Sequence, residues 1–115
     1  RCSSAAAYLK PARGRKNLRV EVNAHTTRIT FDGIRASGVK YLQEGVEREA
    51  RAAKEVILSA GALQSPQILQ LSGVGPAAFL QEMGVSVVEN LPGVGENLQD
   101  HLQLRLMFRV KKRIT

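Results

Sequence analysis

The stretch VILSAGALQSPQILQLSGVG, Val56 to Gly75, decides how the chain is organised. Val56, Ile57 and Leu58 form an unbroken apolar run, which suits a strand covered on both faces. The small residues of SAGA, Ser59 to Ala62, then break the pattern. Ser65 is a natural N-cap and Pro66 suits a first helical position, so a helix is expected from there. Ile68, Leu69 and Leu71 supply its buried side. Ser72-Gly73 ends it, because glycine accepts the left-handed conformation that helix ends often need. Strand, turn and helix in this order can hold a nucleotide at the carboxyl end of the strand, or can simply reverse the chain. Ala60 and Gly61 let a ligand or another backbone approach the main chain closely, and the local residues leave both readings open.

Upstream, SSAAAYLK offers Ser3 and Ser4 as caps for a helix over Ala5 to Leu9, which Pro11 and Gly14 should end. Leu18 to Val22 alternates at period two and reads as a strand. His25 to Phe31 is β-branched and reads as a second. Asp32-Gly33 and Glu44-Gly45 are turn signals, placing further strands at Ala36 to Leu42 and Val46 to Ala52. These four make an antiparallel meander with a wet face, in a different layer from the apolar run at Val56.

Downstream, Pro76 opens a short helix, AAFLQEM, that Gly84 stops. VSVVENL reads as a short strand, LPGVGENLQDH as a turn-rich loop, and LQLRLMFRV, Leu102 to Val110, as a strand with one apolar side.

The 115 residues suffice for one small core, and 43% hydrophobic content is globular in composition. No window reaches the roughly 18 consecutive apolar residues of a membrane span. The start at Arg1 and the end at VKKRIT are expected of a piece of something longer. Cys2 is alone, so no disulfide framework is implied and nothing points to an oxidising compartment; the compartment is left open, with a cytoplasmic or membrane-peripheral setting favoured. The net charge of +7 concentrates near the two ends, while aromatics are only 4% and not interleaved with basic residues. A stacking platform for nucleic acid is therefore lacking, and no nucleic-acid partner is expected.

Two glycine patterns fail the dinucleotide test. Gly73-Val74-Gly75 follows a helical stretch rather than a strand, and Gly93-Val94-Gly95 lies in a loop. Asp100 and His101 are neighbours on an extended segment and so point to opposite faces. Asn97 and Asp100 fit a loop-holding or cofactor-supporting role better than acid–base catalysis. His25 reads as a strand residue.

GALQSPQILQLSGVG, Gly61 to Gly75, resembles the second signature of the glucose–methanol–choline (GMC) oxidoreductases. LPGVGENLQDH and RCSSAAAYLKPARGRKNLRV resemble the segments after and before it, with a choline dehydrogenase flavour. The resemblance implies a mixed α/β fold. Residues 1–90 would be part of a Rossmann-like FAD-binding domain, with a meander at about 18–53 and a buried strand and helix at 55–72. Residues 91–115 would lead into the substrate domain.

The resemblance also implies FAD as cofactor, a small alcohol as substrate, and oxygen, a quinone or another electron acceptor. It places Thr26 where a backbone meets the adenine; valine is commoner there. It places Ala60 and Gly61 near the adenosine and pyrophosphate, and Asn97, Asp100 and His101 in the segment beside the flavin ring. No catalytic residue is assigned, because neither the family's GxGxxG nor its histidine-bearing segment occurs in these residues. The chain alone is expected to be inactive, with apolar surface exposed. A small basic module contacting an anionic partner is the alternative.

Overall fold

Three strands that carry the meander hold the middle of the chain. The computed structural model describes residues 2–109 and 111. Strands β1 (His25–Asp32), β2 (Arg35–Gln43) and β3 (Val46–Arg51) form an antiparallel sheet in that order. Both hairpins turn where the dipeptides predict. Gly33 has φ +59°, and Glu44 and Gly45 have φ +54° and +77°, the paired left-handed residues that match strand twist in a two-residue turn. Two register shifts interrupt β1 against β2, between Thr26 and Arg28 and between Thr30 and Phe31. Gly38, opposite Thr30, is required by packing, since a Cβ there would lie 2.4 Å from the Ala50 carbonyl oxygen.

The expected first strand, Leu18 to Val22, is corrected: these residues form no ladder. They sit beside the β2–β3 turn through side chains instead. The Gln43 amide donates to the Val22 carbonyl at 3.0 Å and to Glu21, and Arg19 pairs with Glu21. The period-two pattern reflects this local pairing across i and i+2, not a sheet. The meander therefore spans three strands and begins at His25.

The amino-terminal helix starts as expected. The Ser3 hydroxyl accepts from the Ala6 N–H at 3.3 Å. A π-helical stretch, Ala5–Leu9, passes into α1 (Lys10–Ala12), so Pro11 lies inside the helix rather than ending it. The Lys10 N–H still reaches the Ala5 carbonyl, but Pro11 has no N–H to continue that ladder, and the helix stops one residue later, before Gly14.

Helix α2 spans Gly61–Leu71, and this corrects its expected start. Ala60, not Ser65, is the N-cap, and Pro66 lies within the helix. The Ser65 hydroxyl reaches back to accept from the Ala60 N–H at 3.1 Å. A serine one turn inside thus satisfies the donor at the helix entrance. The helix ends at Ser72, and Gly73 follows with φ +85°. Of the expected apolar side, Ile68 is buried, while Leu71 is exposed.

The buried strand expected at Val56 to Leu58 is also corrected. No described segment pairs with it, and Ile57 is 78% exposed. A strand forms only against a partner's backbone, and here the apolar run has none. The same holds for Leu102 to Arg109, which is irregular and exposed; Val110, its expected last residue, lies outside the described residues. VSVVENL contributes only β5 (Glu89–Asn90), paired in parallel with β4 (Val74–Gly75). Helix α3, Ala77–Glu82, follows Pro76 and ends before Gly84, φ +72°.

The chain is a mixed α/β assembly with two small sheets. Among the described residues, the buried apolar side chains are Ile29, Ile68, Val74 and Leu80. The radius of gyration is 19.6 Å, where a compact domain of this length measures about 13 Å. The fold is thus an open frame whose apolar surfaces face outward.

Candidate functional site

Helix α2 stands between two clefts. One lies between its inner flank and the start of β1, with a volume of about 550 Å³. Ala24, His25, Thr26 and Thr27 form one wall. Ala60, Gln64, Gln67, Ile68 and Leu71 form the other. Their spacing, 60, 64, 67, 68 and 71, is one face of a helix. Thr26 and Ala60, named separately from sequence, therefore face the same space.

The wall chemistry is mainly apolar, with a few amide and hydroxyl groups. Cavities that take small ligands commonly have that balance. Thr27 lies at the β-bulge, and its hydroxyl donates to the Lys40 carbonyl at 3.2 Å, so it is committed to the sheet.

Gly61 follows Ala60 of the cleft wall with φ +88°, and nothing lies within 4 Å of where its Cβ would be. The left-handed backbone demands glycine, and the open space in front lets a ligand meet the main chain. The α2 entrance has no side-chain cap at its N-cap residue. The first backbone N–H groups of a helix are donors without intrahelical partners and sit at the positive end of its dipole. Apolar walls for a base and, past the Ala60 N–H that Ser65 already holds, the next main-chain donors beside a glycine for an anionic or ribose oxygen together fit a nucleotide.

The second cleft, about 530 Å³, lies between the outer flank of α2 and the loop after β5. Ala62, Pro66 and Gln70 face Gly95, Glu96 and Asn97 across it. The Gln70 amide donates to the Val94 carbonyl at 3.1 Å and ties that loop to the helix. Asn97 has φ +56°, a turn conformation that asparagine tolerates. Gln67 borders both clefts.

Asp100 and His101 lie apart from both clefts, on an exposed segment without regular structure. The Asp100 carboxylate accepts from the backbone N–H of His101 at 2.8 Å. The six residues named from sequence thus fall into three places. Thr26 and Ala60 share one cleft, with Gly61 next to Ala60 in the chain; Asn97 is across α2, and Asp100 and His101 are farther along the loop.

Sequence reasoning passed over His25, Gln64 and Gln67 as site residues. The two glutamines were findable by stepping along a helix from Ala60, had α2 been started there. His25 enters the cleft wall because β1 begins at that residue. Carboxyls with perturbed titration are elsewhere. A hydrogen bond from Arg19, then one from Gln43, holds Glu21 below its ordinary range, and Lys40 does the same for Glu47. Among the described residues no cluster of three or more metal-ligating side chains occurs.

Comparison with known proteins agrees with this architecture. The family model for GMC oxidoreductases matches residues 1–103. Over 117 aligned residues the chain is 54% identical to the oxygen-dependent choline dehydrogenase of Serratia proteamaculans, covering all of this chain and 21% of the relative. It is 50% identical to the mitochondrial choline dehydrogenase of Homo sapiens, covering all of this chain and 19% of that protein. The crystal structure of pyridoxine 4-oxidase from Mesorbium loti superposes with a TM-score of 0.80 at 37% identity, over 88% of this chain and 20% of that one. The chain thus spans about a fifth of the length of the curated relatives it matches. The family model over residues 1–103, similarity in sequence along the whole of this chain, and the shared fold place the chain in the GMC oxidoreductase family.

Proposed function

We propose that the chain is part of an FAD-dependent enzyme that oxidises a small alcohol, in the manner of a choline dehydrogenase. Residues 1–90 belong to its FAD-binding domain, and residues 91–115 lead toward its substrate domain. The observation that carries this reading is the cleft that Thr26 and Ala60 share, with the bare turn of Gly61 next to Ala60.

FAD, when bound, supplies the acceptor for the hydride that leaves the alcohol carbon. The chain's own residues bind and orient. The β1 wall at His25–Thr27 and the α2 face at Ala60, Gln64 and Ile68 would hold the adenosine half. The Thr26 backbone offers its polar groups to the base. Gly61 keeps the approach to the α2 N-terminus clear, where free N–H groups suit the negative charge of a pyrophosphate. Asn97 and the segment through Asp100 and His101 would run beside the flavin ring, as the family resemblance implies. No proton-transfer step falls to these residues. From bound FAD the electrons would pass to oxygen, a quinone or another acceptor.

The basic-module alternative is not favoured, since the relatives matched along the whole chain are choline dehydrogenases. The test uses the full-length protein that contains this chain. It should purify yellow, release FAD on denaturation, and lose flavin colour anaerobically when choline is added. A colourless protein that takes up no added FAD would overturn the cofactor; a flavoprotein that choline and other small alcohols leave oxidised would overturn the reaction.

A further inference from the structure

We infer that Ser72 is a positioning residue that sets the gap between β1 and α2, and through that gap the grip on the adenosine half of the cofactor. The inference rests on the FAD reading above. Ser72 is the one buried polar side chain among the described residues. Its hydroxyl accepts from the Ile29 backbone N–H at 2.8 Å and donates to the Ile68 carbonyl at 2.5 Å.

The placement gives this pair of bonds its leverage. Strand β1 is the edge of its sheet, so its outward N–H groups have no strand to receive them. Ser72 receives one of them from the end of α2. Among the described residues this is the sole hydrogen bond joining β1 to α2 or its cap. Ile29 lies two residues beyond the Thr27 wall of the cleft, and Ser72 directly follows Leu71 of the opposite wall. Ile68, at the other end of the hydroxyl's bonding, lines the cleft itself. Ser72 is therefore a pin between the two walls, just beyond the Thr27 and Leu71 end of the cleft. Without it the Ile29 N–H is buried without an acceptor, and the strand gains by moving away from the helix to reach water.

The test compares Ser72→Ala, Ser72→Thr and Ser37→Ala in the full-length protein. Ser37→Ala is the control: it removes a hydroxyl contact to Thr30, next to Ile29 on β1, but leaves the Ile29–Ser72 bond itself intact. FAD affinity is measured on apoprotein, ADP is used as a competitor for the adenosine half, and the visible spectrum of bound flavin is recorded. Ser72→Ala should weaken FAD and ADP together, by roughly ten-fold, with the spectrum of the bound fraction unchanged. Ser72→Thr, which keeps the hydroxyl, should restore both affinities, and Ser37→Ala should leave them unaltered.

Unchanged ADP competition in Ser72→Ala would overturn the inference, as would an equal loss in Ser37→Ala. Should Ser72→Ala not fold, Ser72→Cys carries the same expectation, because sulfur fits the space but hydrogen-bonds weakly. A wild-type protein that binds neither FAD nor ADP would instead sink the cofactor reading itself.

Discussion

The carbonyl of Gly73 accepts from the backbone N–H of Val88 at 2.7 Å, and no side chain fits between the two segments. A Cβ on Gly73 would lie 2.3 Å from the Ser86 carbonyl oxygen and 2.9 Å from a Val88 methyl. This contact locks the end of α2 onto the segment entering β5. It makes Gly73 irreplaceable for two reasons at once, its φ of +85° and its lack of a side chain.

Gly73→Ala should therefore cost about 3 kcal/mol or more, and should lower the yield of folded protein. Gly84→Ala offers the comparison. Gly84 also has a positive φ, +72°, but nothing lies within 4 Å of its missing Cβ. That variant should lose only about 1 kcal/mol. Chemical unfolding of the full-length variants checks the difference; equal losses would show that the β5 contact carries no weight.

A second bond across the same small sheet caps α3. The Asn90 side-chain carbonyl accepts from the Ala77 N–H at 3.0 Å, while Pro76, the local N-cap, makes no side-chain bond. Asn90→Ala should destabilise by about 1 kcal/mol, the usual value of an N-cap. Asn90→Asp should retain the cap, since a carboxylate accepts the same N–H and favours the helix dipole. Thermal melts of the two variants would settle it, and an Asn90→Ala melt equal to wild type would remove the cap from the account.

What could be read in advance follows from where each signal originates. Turns and stops are local, so Asp32-Gly33, Glu44-Gly45, Gly73 and Gly84 were legible: each needs a backbone conformation that glycine or its neighbour supplies. Strands need partners, and their pattern does not say whether one is present. Leu18 to Val22, Val56 to Leu58 and Leu102 to Arg109 all carry strand-like patterns and all lack a ladder among the described residues. The start of α2 was misplaced because Ser65-Pro66 looks like a helix opening. Ser65 does serve the α2 entrance, but from inside the helix. Thr26 and Ala60 could be named individually from the family resemblance. Their common cleft could not, because it depends on how β1 and α2 pack, and a buried serine 43 residues from Ile29 holds that packing.

Acid should weaken the β2–β3 pairing in a defined sense. Lys40 donates to the Glu47 carboxylate at 2.9 Å on neighbouring strands, and Glu47 is held below its ordinary value of 4.5. A carboxyl depressed in the folded state contributes stability that is complete above its unfolded pKa and is lost as pH falls through the folded one. Wild type should therefore exceed Lys40→Met in stability near neutrality, and the two should converge as pH drops below 4.5. The pair is partly solvent-exposed, so added salt should shrink the gap. A difference that stays constant from neutral to acid would mean that Lys40 acts through packing of its stem and not through its charge.

Gly61 provides the sharpest separation of folding from binding. Its φ is +88°, so Gly61→Ala carries the same left-handed strain as Gly84→Ala, about 1 kcal/mol, and each new methyl enters open space. The two variants should thus match in stability as apoproteins. They should differ in what they hold. Gly61 is the first residue of α2, at the end where the nucleotide half of FAD is proposed to approach; Gly84 follows α3, away from it. FAD affinity should fall for Gly61→Ala by about ten-fold or more and stay at the wild-type level for Gly84→Ala. Flavin titration of the two apoproteins reads this directly. Equal affinities would mean that the glycine at the head of α2 serves only the turn, and that the cofactor rests on a different part of the frame.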